Sequence, residues 1–263
     1  MSSPVLPLLG RGLAAGGAAG LATGLFSLLL AEPLMDKAIR LEEARSESGH
    51  KHEPAGAIVK HHEELFTRSQ QHFGLVVTAI VAGLALGLLF AVAYALVHRR
   101  TPTAGSPWTR ALTFSTAAFL AVSLLPGLRY PANPPGVGDS TTVANRQALW
   151  LAAVAIGVLG MVLVWQVYVR LASRSVPVRH LAVAVATIAV LVALFALPGN
   201  PDEVPVAATL LWDFRVLSIA SHVLLWGVFA AVFGALGLRA AARAAAPAPA
   251  AAEASGQGPV PVG

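Results

Sequence analysis

Apolar residues fall in six long runs, at residues 9–30, 74–97, 108–125, 148–169, 180–197 and 216–238, and polar residues collect between them. A helix needs about 20 residues to cross a hydrocarbon core, so each run predicts one span. The fold class is therefore all-α, a polytopic integral membrane helical bundle. Thr109, Arg110, Thr113, Ser115, Thr116 and Ser123 dilute the third run and leave five spans as the alternative to six. Arg11 ahead of an apolar stretch resembles the start of a signal peptide. Leu29, however, stands where cleavage before Glu32 would need a small residue, so the first span is expected to be retained. Within it Gly12, Gly16, Gly20 and Gly24 recur every four residues, and the second run carries Ala79, Gly83, Gly87 and Ala91 at the same spacing. Two such small-residue faces predict that the first two spans pack face to face.

The connection between those spans, residues 32–73, is the longest polar stretch. Pro33 suits a first helical position, and Leu34, Ala38 and Leu41 share one stripe while Asp36 and Arg40 stand four apart, which predicts a short helix continuing the first span. Residues 47–57, with Ser, Gly, His and Pro54 and no periodicity, read as a loop. Ile58, His62, Leu65, Ser69 and His72 then resume helical spacing and predict a second amphipathic helix feeding the second span. The chain divides into a membrane domain at 1–240 and an Ala/Pro/Gly-rich tail at 241–263, expected to be disordered.

Composition agrees with the pattern: 56% of residues are hydrophobic, 12% are charged and there is no cysteine. Disulfides, zinc–thiolate sites, thiolate-held iron–sulfur clusters and c-type haem attachment are excluded. The net charge of +5 does not point to nucleic acid, because the basic residues sit at the ends of apolar runs. Six spans with both termini inside give one face Arg11, Arg99, Arg100, Arg110, Arg170, Arg174, Arg179, Arg239 and Arg243. The short outer loops then keep only Arg129, Arg146 and Arg215, the asymmetry that orients membrane proteins. Asp139, Asp202, Glu203 and Asp213 also fall outside. Lys37, Lys51 and Lys60 follow Asp, His and Val, so the chain has no Gly-Lys of a P-loop and no ATPase of its own.

Polar chemistry is concentrated in the first connection, which holds eight of the thirteen acidic residues and five of the eight histidines. Imidazole and carboxylate without thiol suit borderline divalent ions such as cobalt, nickel or zinc. His50 and His52 lie on the loop, His61, His62 and Glu64 on the second amphipathic stretch, and Glu32 and Asp36 one turn apart at the end of the first span. A solvated loop whose histidines bind nothing is the competing reading. Two further outer connections, residues 130–139 and 198–205, are rich in proline and glycine and predict rigid turns. Asp139 or Ser140 is placed to cap the helix carrying Arg146, and Trp212, Asp213 and Arg215 to lie at a membrane edge.

These residues carry a family resemblance. A glycine-spaced first span ending Ala31-Glu32-Pro33, Asp36, the Glu42-Glu43 pair, a His-rich connection ending in Arg68 and Gln71, Tyr-Pro-Ala-Asn-Pro-Pro-Gly-Val-Gly-Asp at 130–139 and Leu-Trp-Asp-Phe-Arg at 211–215 resemble the CbtA family of predicted cobalt transporter subunits. The resemblance implies a bacterial inner-membrane subunit for cobalt uptake, linked to cobalamin synthesis, acting with a small single-span CbtB partner. Glu32, Asp36, Tyr130, Asn133, Asp139, Arg146, Glu203, Asp213 and Arg215 match the family's pattern, whereas His222 stands where the family more often has glutamine. His72 and His222 join them as candidate pathway residues, His222 because an intramembrane histidine is a functional candidate by default. The expected substrate is Co²⁺, with Ni²⁺ possible, no permanently bound cofactor and no enzyme activity; an oligomer stays open. Two other classes compete: a haem- or quinone-binding oxidoreductase subunit, poorly supplied with histidines inside spans, and a scaffold that binds metal without moving it.

Because the chain has no cysteine, its orientation can be read from single introduced thiols. An impermeant thiol reagent applied to the outer face of intact cells should label Ser48→Cys and leave Ser255→Cys unlabelled. The reverse pattern would invert the topology.

Overall fold

The computed structural model describes residues 5–50, 67–98, 105–134, 137–200, 202, 204 and 206–246, without the side chains of 5, 42–50, 68 and 69. Among these residues six helices are long and apolar enough to cross a membrane: Leu6–Leu41, Gln70–His98, Pro107–Arg129, Ser140–Arg170, Val176–Phe195 and Ala208–Ala245. The diluted third run is therefore a span, and the five-span alternative falls. Its helix starts cleanly, with the Ser106 hydroxyl accepting from the Thr109 N–H at 3.1 Å and Pro107 in the first turn.

The elements in order are α1 (Val5–Phe26), α2 (Glu32–His50), α3 (Arg68–His98), α4 (Pro107–Phe119), α5 (Leu125–Arg129), α6 (Val143–Arg170), α7 (Val176–Phe195) and α8 (Ala208–Ala245). Two π-turns, Ser27–Ala31 and Leu120–Leu124, join α1 to α2 and α4 to α5. Both have one cause. Each is followed by one residue and then a proline, Pro33 or Pro126, which has no N–H to donate and whose ring crowds the carbonyl four residues back. Widening the preceding turn lets Glu32 N–H bond Ser27 O and Leu125 N–H bond Leu120 O, so the helix passes the proline without ending. Pro33 thus stands in the first turn of α2, which continues the first span as the sequence predicts.

Other boundaries moved. α2 runs to His50, four residues into the stretch read as a loop, carried on from a Glu- and Arg-rich sequence of good helix formers. α3 begins at Arg68, where Thr67 and Gln70 form a capping box: Thr67 N–H donates to Gln70 Oε1 at 2.9 Å, and Gln70 N–H to Thr67 Oγ1 at 3.4 Å. The earlier part of the second amphipathic stretch lies outside the described residues. α8 continues past residue 240 along Arg239 to Ala245 and stops before Pro247, with Ala246 already extended at ψ 131°. Residues 247–263 lie outside the described residues.

The core gathers α1, α3, α4 and α8. Gly12 meets Gly87 O, Gly16 meets Gly83 O and Gly20 meets Ala79 O, each so close that a Cβ would fall far inside van der Waals contact. Beside this seam lies an aromatic cluster: Phe90 and Tyr94 of α3, Phe114 of α4, and Trp226, Phe229 and Phe233 of α8. Phe90 stands at its centre, 4.5 Å from Phe229 and 4.9 Å from Phe114 in edge-on contacts. The α6–α7 hairpin attaches along the second π-turn. Gly157 of α6 abuts Ala121 O, and Gly160 leaves the space that Val190 of α7 fills.

Gly20→Leu should lower the yield of folded protein severely, because its side chain meets backbone rather than a side chain that can turn aside. Gly74→Leu, with open space around the same type of residue, should not. Size-exclusion profiles of the two purified variants check this.

Candidate functional site

Alternating spans bring the start of α2, the start of α3, the start of α6 and the start of α8 to one end of the bundle, and two polar constellations form there.

The first lies between the first two spans. Glu32, directly after the first π-turn, is only 8% exposed, and its Oε1 lies 3.1 Å from His72 Nε2 near the start of α3. The glycine seam sets up this pair. In antiparallel helices each Cα–Cβ bond tilts toward its own N-terminus, so Glu32 leans inward from the end of its span while His72 leans outward to meet it. Asp36 stands one helical turn beyond Glu32. Among the described residues no three His, Asp or Glu side chains are grouped to hold a metal ion. Glu32 and His72 are thus two donors already bonded to each other. Of the other connection residues, His50 ends α2 with its side chain undescribed, and His52, His61, His62 and Glu64 lie outside the described residues.

The second constellation gathers most of the resemblance residues. After α5, the Tyr130 hydroxyl donates to Pro198 O at 2.7 Å, and Arg129 Nη2 donates to Leu197 O, clamping the 130–139 loop onto the end of α7. Arg215 of α8 donates to Asn133 Oδ1 at 3.1 Å and to Ala132 O at 3.4 Å. Asp139 caps the following helix, its Oδ1 accepting from Thr141 N–H at 2.7 Å, as the sequence reading placed it. That backbone bond, followed by the Thr141 hydroxyl, holds the Asp139 carboxyl below its ordinary range. The cap is therefore present above the ordinary carboxylate pKa and is lost as pH falls through the lowered one.

Arg146 Nε lies 3.1 Å from Asp202 Oδ2, and Asp202's side chain is 5% exposed against 30% for Arg146. The contact is off the line of a good hydrogen bond, so the attraction is mainly one of charge. Thr142 Oγ1 lies 2.8 Å from Asp202 Oδ1 and 2.9 Å from Asp139 O, and Arg146 Nη2 donates to Asp139 O at 3.1 Å. Gly138, at φ +104°, lies flat against this pair where a side chain would collide with Arg146. Sequence reasoning chose Glu203, which lies outside the described residues, and passed over Asp202. Glu203 came from the family resemblance, which did not include Asp202.

Tyr130, Asn133, Arg146, Trp150, Asp202 and Arg215 line a cleft of about 810 Å³. A smaller cavity of about 240 Å³ adjoins it and shares Tyr130, Pro131, Trp150 and Arg215. His222 lines the smaller cavity, its Nδ1–H donating to Ser218 O at 2.8 Å, which leaves Nε2 for the cavity side. Asp213 is exposed and takes part in none of these bonds. Trp226 Nε1 donates to Ser123 Oγ at 2.9 Å, which gives one of the hydroxyls that diluted the third run a structural role.

A family model described as "Probable cobalt transporter subunit (CbtA)" matches residues 6–237. No curated protein and no solved structure matches the chain.

Arg146→Met would leave the Asp202 carboxylate buried without its cation. Removing one partner of a fully buried pair costs about 3–5 kcal/mol, and with Arg146 partly exposed the expected loss is about 2 kcal/mol. Adding Asp202→Leu should restore most of it. A double-mutant cycle of thermal unfolding in detergent checks this, and additive losses would show the pair to be uncoupled.

Proposed function

The chain belongs to the CbtA family of probable cobalt transporter subunits, and from that premise we propose that it takes up Co²⁺, first capturing the ion in the connection between its first two spans. As a multi-pass membrane protein and a subunit, it works with partner subunits; a small single-span CbtB-like chain is the partner this reading names. The face bearing the connection is read as the outer face of a bacterial inner membrane, with both termini cytoplasmic.

The observation that carries this reading is Glu32, a carboxylate buried at a membrane edge and bonded to His72 of the neighbouring span. An ionisable residue held inside a span is costly, and its usual role is on a substrate path. Glu32, Asp36 and His72 supply the oxygen and imidazole donors that a borderline divalent ion takes, and the bonded Glu32–His72 pair opens to receive it. His50, His52, His61, His62 and Glu64 are the capture groups that bring the ion to this entrance and complete its coordination. Tyr130, Asn133, Asp139, Arg146 and Arg215 hold the loops at the same end, Glu203 and Asp213 are read as further pathway residues there, and His222 lies deeper. Since the same donors favour nickel in the general affinity order, selectivity for cobalt lies in geometry. The driving force comes from an ion gradient, the membrane potential or a partner.

Cellular uptake of radioactive Co²⁺, with Ni²⁺ as competitor, tests the assignment. Replacing His50, His52, His61 and His62 by alanine together should raise the Co²⁺ concentration for half-maximal uptake more than it lowers the maximum, whereas Glu32→Ala should cut the maximum. Imidazole must be neutral to bind, so the half-maximal concentration should rise as pH falls below about 6.5, the unperturbed histidine pKa. Undiminished uptake of trace Co²⁺ by the four-alanine variant would reduce the loop to a solvated linker.

A further inference from the structure

The two adjoining cavities are both lined mainly by apolar surface, which metal transport does not explain. The larger one lies at the membrane edge and adds the charged groups Arg146, Asp202 and Arg215 to that surface. The smaller one runs from there along α5 and α8, past Leu124, Leu128 and Ile219, to His222. His222 is seven residues, or about 10 Å of helix, deeper in the membrane than Arg215. Arg215 and Trp150 line both cavities and mark their junction.

The charge at this junction is positive. Asp202 is committed to Arg146 and Thr142. Arg215 has only the neutral acceptors Ala132 O and Asn133 Oδ1, and no carboxylate among the described residues pairs with it. A guanidinium has five N–H donors in a planar fork that fits a phosphate or carboxylate, and Arg215 uses two of its nitrogens. Trp150, 45% exposed beside it, presents the amphipathic surface typical of a membrane interface. The ligand that matches a cationic edge site continuous with an apolar groove has an anionic head and a hydrocarbon chain.

We propose that Arg215 and Trp150 form the junction of a binding site for an anionic phospholipid, the phosphate held at Arg215 and one acyl chain lying in the groove between α5 and α8. The bilayer leaflet supplies such a lipid at that depth, and the Arg215 charge selects it over a zwitterionic one. Bound there, the lipid bridges the 130–139 loop to α8.

The test uses the full-length protein purified in a zwitterionic detergent and phospholipids brominated on the acyl chains, which quench nearby tryptophan. Brominated phosphatidylglycerol should give a saturable quench at about tenfold lower concentration than brominated phosphatidylcholine, because the choline cation offsets the charge of its phosphate and is repelled at Arg215. Trp150→Phe should remove that component, and Arg215→Gln should remove the preference between the two lipids. Gly127 lines the groove, and a Cβ there meets nothing within 4 Å, so Gly127→Leu fills the groove without straining the fold. It should weaken the phosphatidylglycerol component even if Arg215→Gln proves unstable. Equal half-saturation for the two lipids in the parent, or a phosphatidylglycerol component untouched by Gly127→Leu, overturns the site. Relief of the quench by inorganic phosphate or glycerol phosphate at concentrations similar to the lipid's would assign Arg215 to a free anion and overturn the lipid. None of these readings depends on cobalt uptake.

Discussion

The contact of glycine with backbone carbonyl between α1 and α3 fixes the arrangement of groups where these two spans meet the 32–73 connection. Hydrocarbon solvates apolar side chains as well as a protein interior does, so membrane helices gain from association chiefly through close packing. Gly12, Gly16 and Gly20 against Gly87, Gly83 and Ala79 give that packing in one register only, because a shift of one residue would turn larger side chains into the seam. The register carries Glu32 to His72. Without the seam the two groups would be polar residues on separate helices, each needing water.

A second constraint acts on the backbone. Inside a membrane an unbonded carbonyl has no water to turn to, and Pro33 and Pro126 each create that problem. In both spans a π-turn one residue upstream restores the bonding, and in both the chain just beyond it carries polar chemistry: Glu32 after the first, Arg129 and Tyr130 after the second. The widened turn also offers surface. Ala121 O, within the second π-turn, is the carbonyl against which Gly157 of α6 packs, so the same local expansion that accommodates a proline seats the α6–α7 hairpin.

Much of this was legible in the sequence, and the rest was not for definite reasons. Long apolar runs and the four-residue glycine spacing are periodic signals, and they gave six spans and the α1–α3 seam correctly. The Asp139 cap was legible because capping is a local interaction. Pro33 at the start of a helix that continues the first span was legible, but the π-turn that joins the two has no residue signature of its own. The Thr67–Gln70 capping box was a local signal overlooked beneath an amphipathic pattern. Asp202 was missed because its importance is tertiary: Arg146 and Thr142 lie about sixty residues earlier in the chain, and no spacing rule connects them to it.

The two constellations at this end are electrostatically opposed, and the opposition bears on where a divalent cation travels. Glu32 and Asp36 bring negative charge to the mouth of the first two spans. The cleft at α6 and α8 holds Arg146 balanced by Asp202 and Arg215 balanced by no described carboxylate. A doubly charged ion about 8 Å from one unbalanced guanidinium meets a repulsion of about 4 kcal/mol at an effective dielectric constant near 20, enough to lower its occupancy about a thousandfold. A neutral or anionic species is not excluded in this way. The electrostatics thus favour a divalent cation on the carboxylate side of the first span, whereas the arginine cleft, although it is the larger cavity and carries more of the family-like residues, holds loops together and favours an anion.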